Sequence, residues 1–270
     1  GLGSVLNGFE SVTGQINVEY YKPETAPALM INAFANQGGR MELNAISGVD
    51  VSDKVSTAFL LHGSMNPRVN DVNNDGFADI PTNSQITLNN RWHYKGDNGW
   101  EGQLGISAIQ SDKVGGQTAY AKSDNPADSL WGFESHGTRI EVFGKNGYVF
   151  QNEAFRSLGL MYSFSYQDHN GRFGQRKHFG EQKSVYFNSV FQDIIGTTVH
   201  KYRTGISFQM DDVTDQLDSI PNSENYIYKQ NRQEIVPGAY AEYTFEPNVQ
   251  FTLVAGLRVD YTSYFEEAFV

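Results

Sequence analysis

Apolar and polar residues alternate with a period of two along most of the chain beyond residue 25. The pattern is clearest in four stretches, 85–94, 155–167, 201–211 and 250–261. Successive side chains of a β-strand point to opposite faces, so the alternation predicts strands with one apolar and one polar face. We predict an all-β, antiparallel architecture of about eleven strands, near residues 28–36, 40–50, 55–65, 84–95, 100–111, 137–144, 155–168, 183–194, 200–211, 235–245 and 250–262.

Two architectures fit this alternation. A soluble β-sandwich would place the apolar face in its interior. A transmembrane barrel would instead turn the apolar face to lipid, with aromatic residues near the strand ends and polar groups inside. Trp92, Tyr94 and Tyr261 lie near predicted strand ends on the apolar face, which favours the barrel. The polar face carries charged residues that we expect to form mostly ion pairs inside such a barrel, at Arg40, Glu42, Arg91, Arg139, Glu141, Lys201, Arg203, Asp211, Arg258 and Asp260.

The predicted connections alternate in length, which also favours the barrel. Short connections fall near 51–54, 96–99, 195–199 and 246–248, and long polar ones near 66–83, 111–136, 168–182 and 211–234. Transmembrane barrels show this rhythm, with short periplasmic turns and long extracellular loops.

Composition excludes several classes of protein. The net charge of −11 argues against a nucleic-acid partner, which would require a basic surface. The absence of cysteine excludes a disulfide scaffold and a thiolate zinc site. No apolar run approaches the roughly 20 residues of a spanning helix, so a membrane protein of this composition has to cross with strands.

The beginning of the chain differs from the rest because glycines interrupt it before a short alternating stretch at 15–20. This segment resembles the end of the plug domain of TonB-dependent outer-membrane receptors. The family pattern is a glycine-serine-valine turn, a glycine-rich stretch and then Gly-x-Ile-Asn. The matching residues are Gly3, Ser4, Val5, Gly8, Gly14, Ile16 and Asn17, while Asn7 and Gln15 depart from the pattern.

The resemblance implies both an organisation and a function. Residues 1–24 would form the C-terminal end of the plug with its hinge, and 25–270 the first half of a barrel of about 22 strands. A plug before residue 1 and further strands after residue 270 are then expected. The implied protein lies in the outer membrane of a Gram-negative bacterium and imports a scarce nutrient of the ferric siderophore, haem or cobalamin class.

The resemblance also implies the partners. TonB would supply the energy through an N-terminal segment that precedes this sequence, and the other partners would be the small-molecule nutrient and outer-membrane lipid. We expect no nucleic acid, no required cofactor and no enzymatic activity. Two alternatives stay open: a non-transporting binding or adhesion barrel with calcium-ordered loops, and an outer-membrane hydrolase. No dinucleotide, phosphate-loop or nucleophile-elbow motif is present.

One predicted long loop contains the start of a calcium-binding pattern. Oxygen-bearing residues occupy positions 1, 3, 5 and 9, with glycine at position 6, in the run Asp71-Val-Asn-Asn-Asp-Gly-Phe-Ala-Asp79. Side-chain oxygens of Asp71, Asn73, Asp75 and Asp79 and the carbonyl of Phe77 would be the ligands. Position 12 is Thr82, so the usual bidentate carboxylate is missing. An ion-free surface turn is the competing interpretation.

The six histidines show no metal-binding spacing. They stand at 62, 93, 136, 169, 178 and 200, without an H-x-H or H-x-x-x-H pair. A loop histidine could ligate haem or a metal chelate, since axial ligation needs one imidazole. With no second ligand in view, we favour solvated loop histidines.

Overall fold

The computed structural model describes residues 5–8, 20–123, 129–153, 155–218, 227–265 and 267–269. Its strands form one antiparallel sheet of 12 strands in chain order, each paired with its sequence neighbours. Within the described residues, β1 and β12 are the two edges of this open sheet. The strands are β1 Met30–Ala35, β2 Met41–Ser52, β3 Val55–Asn66, β4 Thr82–Lys95, β5 Trp100–Gly116, β6 Gly132–Val149, β7 Ser157–Phe173, β8 Arg176–Ile195, β9 Thr197–Asp218, β10 Ile227–Asn248, β11 Phe251–Thr262 and β12 Glu267–Phe269.

The predicted all-β antiparallel fold is therefore confirmed, with a short twelfth strand, Glu267–Phe269, beyond the eleven predicted. Among the residues that the structure describes, helical structure is confined to single turns at Val5–Asn7 and Pro23–Thr25 and to the helix α1, Thr118–Ala121. No helix in the described part of the chain is long and apolar enough to cross a membrane.

The two faces of the sheet differ sharply in chemistry. Register pairs like with like, for example Phe164 with Val185 and Ala241 with Leu257, so apolar side chains share one face across the strands. This apolar face, here called the outer face, is open to the surroundings, and Leu257 is 61% and Ile206 58% exposed. A water-soluble protein would not leave so broad an apolar surface uncovered.

The other face, here called the inner face, is contacted by the helical turns Val5–Asn7 and Pro23–Thr25. It holds buried polar groups at Asn188, Ser207, Glu242 and Asp260. Arg258 lies on the same face with a side chain only 10% exposed. The soluble alternative predicts the opposite, with the apolar residues packed inside and Arg258 in bulk water, and the structure contradicts it.

The predicted lengths of the connections between strands are correct for the short turns but wrong for two of the long loops. The predicted loop 168–182 is a hairpin of regular strands, because β7 continues to Phe173 and β8 begins at Arg176. Most of the predicted loop 211–234 is also strand, since β9 runs to Asp218 and β10 begins at Ile227. A tilted strand crosses a bilayer in about 9–11 residues. The 22 residues of β9 thus extend well beyond an apolar band of that height.

Candidate functional site on the inner face

The helical turn Val5–Asn7 lies on the inner face against β8, β10 and β11. Asn188 donates a hydrogen bond from Nδ2 to the carbonyl of Leu6 at 3.1 Å. Arg258 donates from Nη1 to the carbonyl of Val5, also at 3.1 Å. Side chains of the sheet therefore hold two consecutive backbone carbonyls of the N-terminal segment by hydrogen bonds. We call Asn188, Arg258 and their supporting side chains Ser207, Tyr240 and Asp260 the docking cluster.

The docking cluster is held rigid by its own hydrogen bonds. Arg258 forms a bidentate pair with Asp260, with both N–O distances at 2.6 Å, and also donates to Ser207 Oγ at 2.6 Å. Tyr240 donates its hydroxyl to Asn188 Oδ1 at 2.8 Å. Charge-assisted bidentate pairs fix geometry more strictly than single neutral hydrogen bonds. Both donors are thus positioned by hydrogen bonds that do not involve the segment.

Glycine lets the segment approach the wall closely. A Cβ on Gly256 would come within 2.8 Å of Val5 Cγ1. Further along, Gly48 donates its amide to the carbonyl of Pro27 at 2.7 Å, and a Cβ there would lie 2.7 Å from the carbonyl oxygen of Ala26. At both positions any larger residue would push the segment away from the sheet.

The predicted hinge, residues 20–24, is tied to a different part of the wall. Arg91 of β4 donates from Nη1 to the carbonyls of Tyr20 and Tyr21, at 3.3 and 3.1 Å. Glu24 lies 3.4 Å from Nδ1 of the buried His93. The described N-terminal residues therefore contact β10 and β11 at one point and β2 to β4 at another. Of the predicted junction motif, Val5 and Gly8 are described, whereas Gly3, Ser4, Gly14, Ile16 and Asn17 lie outside the described residues.

The predicted calcium loop connects β3 to β4, and its backbone folds around Asp71. The two carboxylate oxygens of Asp71 accept hydrogen bonds from the amides of Asp75 and Gly76, at 3.1 and 3.0 Å. Asp79 accepts from the amide of Val72 at 2.8 Å. The φ angles of Asn74 and Gly76 are +57° and +86°. This is an ordered turn in which the carboxylates already serve as hydrogen-bond acceptors, so calcium binding stays a prediction.

The calcium loop is bound to the next external loop. Phe77 forms a β-bridge with Gln117, and Thr118 donates its amide to the carbonyl of Gly76 at 2.8 Å. Within α1, Tyr120 is 1% exposed and donates its hydroxyl to Glu134 at 2.7 Å. Burial, and then the hydrogen bond to Glu134, raises the pKa of Tyr120 to about 12. The two loops therefore form one connected unit at the external end of the sheet.

The charged residues of the inner face mostly pair with one another, as expected. Arg139 bonds Glu141 at 3.1 Å and Lys201 bonds Glu246 at 2.7 Å. Arg40 is likewise paired with Glu42. Such pairs neutralise the wall, so no one of them marks a ligand site by itself.

The three histidines predicted to lie in or beside loops, His136, His169 and His178, stand on strands, although the side chain of His136 on the outer face is 49% exposed beside Asp112. His93 is buried and lies near Glu24 of the predicted hinge. The most informative pair is His169 of β7 and His178 of β8, whose Nδ1 atoms lie 3.3 Å apart. Burial, and then the neighbouring His178, lowers the pKa of His169. The spacing rules missed this pair because the two residues stand on opposite strands of the unrecognised hairpin.

An antiparallel sheet with an apolar outer face and a polar inner face has the character of a wall of a transmembrane β-barrel. Residues 33–269 match the family model described as TonB dependent receptor-like, beta-barrel. The chain belongs to this family of bacterial outer-membrane receptors, which bind small molecules and interact with TonB. No curated protein sequence matches the chain significantly.

Proposed function

We propose that the protein imports a scarce nutrient across the outer membrane of a Gram-negative bacterium, using energy delivered by TonB. The nutrient belongs to the ferric siderophore, haem or cobalamin class. The observation that carries the proposal is the N-terminal segment docked on the inner face through Arg258 and Asn188. A transporter needs an obstruction that closes the interior at rest and moves when energy arrives.

The strength of the docking suits such a movable obstruction. Two side-chain hydrogen bonds hold consecutive carbonyls, and a hydrogen bond contributes about 0.5–1.5 kcal/mol, or about 1.5–3 kcal/mol when one partner is charged. The sum is a few kcal/mol, enough to keep the segment in place most of the time. It is also small compared with the cost of unfolding the sheet, so a pull can release the segment while the wall stays intact.

Within this proposal residues 1–24 form the end of the plug and its hinge. The hinge carbonyls of Tyr20 and Tyr21 are held by Arg91, so motion of the upstream segment would stop at this anchor. The first wall strands then stay fixed while the segment before them moves. The chain performs no chemistry on the nutrient, and neither nucleic acid nor a required cofactor takes part.

The test is an uptake assay in cells that produce the intact receptor. Radiolabelled ferric siderophores, haem and cobalamin are supplied separately, and accumulation is compared in cells with and without TonB. We expect one class to accumulate only when both the receptor and TonB are present. Saturable binding without TonB-dependent accumulation in any class would contradict import and favour a binding barrel.

A further inference from the structure

Four side chains on neighbouring strands form a continuous polar chain at the external end of the inner face. Ser135 Oγ of β6 lies 3.0 Å from His169 Nε2. His169 Nδ1 lies 3.3 Å from His178 Nδ1, and His178 Nε2 lies 2.6 Å from Asp215 Oδ1 of β9. The two central imidazoles thus face each other through the same ring atom, and each has a polar partner behind it.

The register explains how four strands supply these groups. His169 pairs directly with Gly180, and His178 pairs directly with Gly171, so the two rings meet along a diagonal of the β7–β8 hairpin. A Cβ on Gly171 would lie 3.1 Å from His169 Cε1, a crowded distance. Glycine opposite each ring therefore leaves room for the imidazoles to lean across the strands towards one another.

Hydrogen-bonding rules fix the protonation of one ring. An ionised carboxylate only accepts, so Asp215 requires a proton on His178 Nε2, and the neutral ring then presents a lone pair at Nδ1. With its own proton on Nδ1, His169 closes the chain by donating to that lone pair. Ser135 can either donate to His169 Nε2 or accept from it. The alternative tautomer of His169, protonated at Nε2, therefore leaves two Nδ1 lone pairs side by side.

In that second arrangement the separation of the two Nδ1 atoms matches that of a bidentate metal site. Imidazole nitrogens at about 2.0–2.1 Å from a tetrahedral ion stand about 3.3–3.4 Å apart, which is the separation of these two Nδ1 atoms. Metal-ligating histidines almost always donate their other ring N–H to a carboxylate or another oxygen. Asp215 and Ser135 already occupy these two outer positions.

We propose that His169 and His178 bind a transition-metal ion through their Nδ1 atoms. Imidazole without thiolate suits Zn²⁺, Cu²⁺ and Ni²⁺. Binding shifts one proton of His169 from Nδ1 to Nε2, so a neutral pair takes up the ion without a net release of protons. The described part of the chain contains no group of three or more His, Cys, Asp or Glu that could hold a metal ion. The protein therefore contributes two ligands to the proposed site.

The remaining coordination positions are filled by water or by donor atoms of a small chelator. The side chain of His178 is 28% exposed, so the pair is reachable from solvent. The site lies on the strand extensions beyond the apolar band, near the turn between Phe173 and Arg176. We infer that a metal-bearing nutrient first contacts the wall at this site, and this role rests on the import function proposed above. The metal site itself does not depend on that function.

The experiment measures metal binding to the intact receptor in detergent. Ni²⁺ is titrated by calorimetry, and Cu²⁺ is added at one equivalent for electron paramagnetic resonance. We expect one saturable Ni²⁺ site and a Cu²⁺ spectrum with hyperfine structure from two imidazole nitrogens. His169→Gln and His178→Gln should each weaken Ni²⁺ binding at least tenfold and reduce the Cu²⁺ spectrum to one nitrogen. Asp215→Ala should weaken binding about 10- to 100-fold by freeing the ring of His178.

His136→Gln is the matched control, because His136 stands on the adjacent strand but on the outer face, paired with Asp112. It should leave both measurements unchanged. A wild-type receptor with no saturable site, a Cu²⁺ spectrum without two nitrogens, or an equal loss in His136→Gln would overturn the metal site. A receptor that imports its nutrient but fails these measurements would leave the import function standing. A receptor that binds metal at the histidine pair but imports nothing would leave the metal site standing and contradict the import function.

Discussion

The docking of the N-terminal segment on Arg258 can be tested by removing that contact without leaving a charge buried. Arg258 and Asp260 are 10% and 6% exposed, so replacing the arginine alone would strand the carboxylate. Breaking a buried ion pair in that way costs about 3–5 kcal/mol and would disturb the wall itself. The double variant Arg258→Met/Asp260→Asn removes both charges and keeps side chains of similar length.

The expected effect follows from the single hydrogen bond that is lost to the segment, from Arg258 Nη1 to the carbonyl of Val5. A hydrogen bond from a charged donor is worth about 1.5–3 kcal/mol. Since about 1.4 kcal/mol is a factor of ten, the undocked population should rise about 10- to 150-fold. Asn188 still holds the carbonyl of Leu6, so the segment should remain docked most of the time.

Hydrogen–deuterium exchange of a peptide covering residues 5–8 measures this population in the intact receptor. Its amides should exchange faster in the double variant, while peptides from β8 and β9 keep their rates. The matched control is Arg203→Met/Glu242→Gln. That pair also lies on the inner face, with an N–O distance of 3.3 Å, and Arg203 donates to Gln192 at 2.9 Å. Unchanged exchange in the first variant, or equal acceleration in the control, would refute the docking role of Arg258.

Three further outcomes are expected. Leu257→Arg on the outer face should destabilise insertion into lipid vesicles by up to about 2–4 kcal/mol, whereas Val254→Arg on the inner face of the same strand should not; equal effects would refute the assignment of faces. Asp71→Asn/Asp75→Asn should abolish saturable calcium binding in calorimetry, and a wild-type receptor that binds none would remove the predicted site. Tyr120→Phe should delete a phenol that ionises near pH 12. The pKa of Tyr120 is higher in the folded protein than in the unfolded chain, so its contribution to stability is complete below about pH 10 and is lost as the pH rises towards 12. Absorbance at 295 nm would follow the ionisation, and hydrogen exchange of the loop would follow the loss of stability.

The sequence predicted the membrane-spanning parts of the strands well, because there the lipid side requires apolar side chains and the interior side accepts polar ones. At Phe164 and Leu257 an apolar side chain faces outward, while Ser165 and Arg258 face inward, so the period of two is plain. Beyond the apolar band both faces are wet. Residues such as Asp212 and Thr214 point outward from β9 and are as polar as their inward neighbours, so the alternation disappears. Strand and loop then look alike, and for this reason the sequence predicts loops at 168–182 and 211–234.

The docking cluster was beyond prediction for a different reason. Asn188 and Arg258 meet the segment at Leu6 and Val5, more than 180 positions away in the chain. Alternation shows that both residues belong to the polar face, but it does not show which strand lies over which part of an interior segment. Only the order and register of β8 to β11 bring them together.

The pair His169 and His178 was not predicted, but one local sequence signal, the glycine of the hairpin turn, could have revealed it. Gly174 has a φ of +59° and is the first of the two residues that connect Phe173 to Arg176, as a type II′ hairpin turn requires. Once that turn is placed at the Gly-Gln dipeptide, the antiparallel register follows by counting. His178 must then fall opposite Gly171, diagonal to His169 on the same face. The spacing rules for metal ligands within one segment failed here because the fold, through a two-residue turn, joins ligands from two segments.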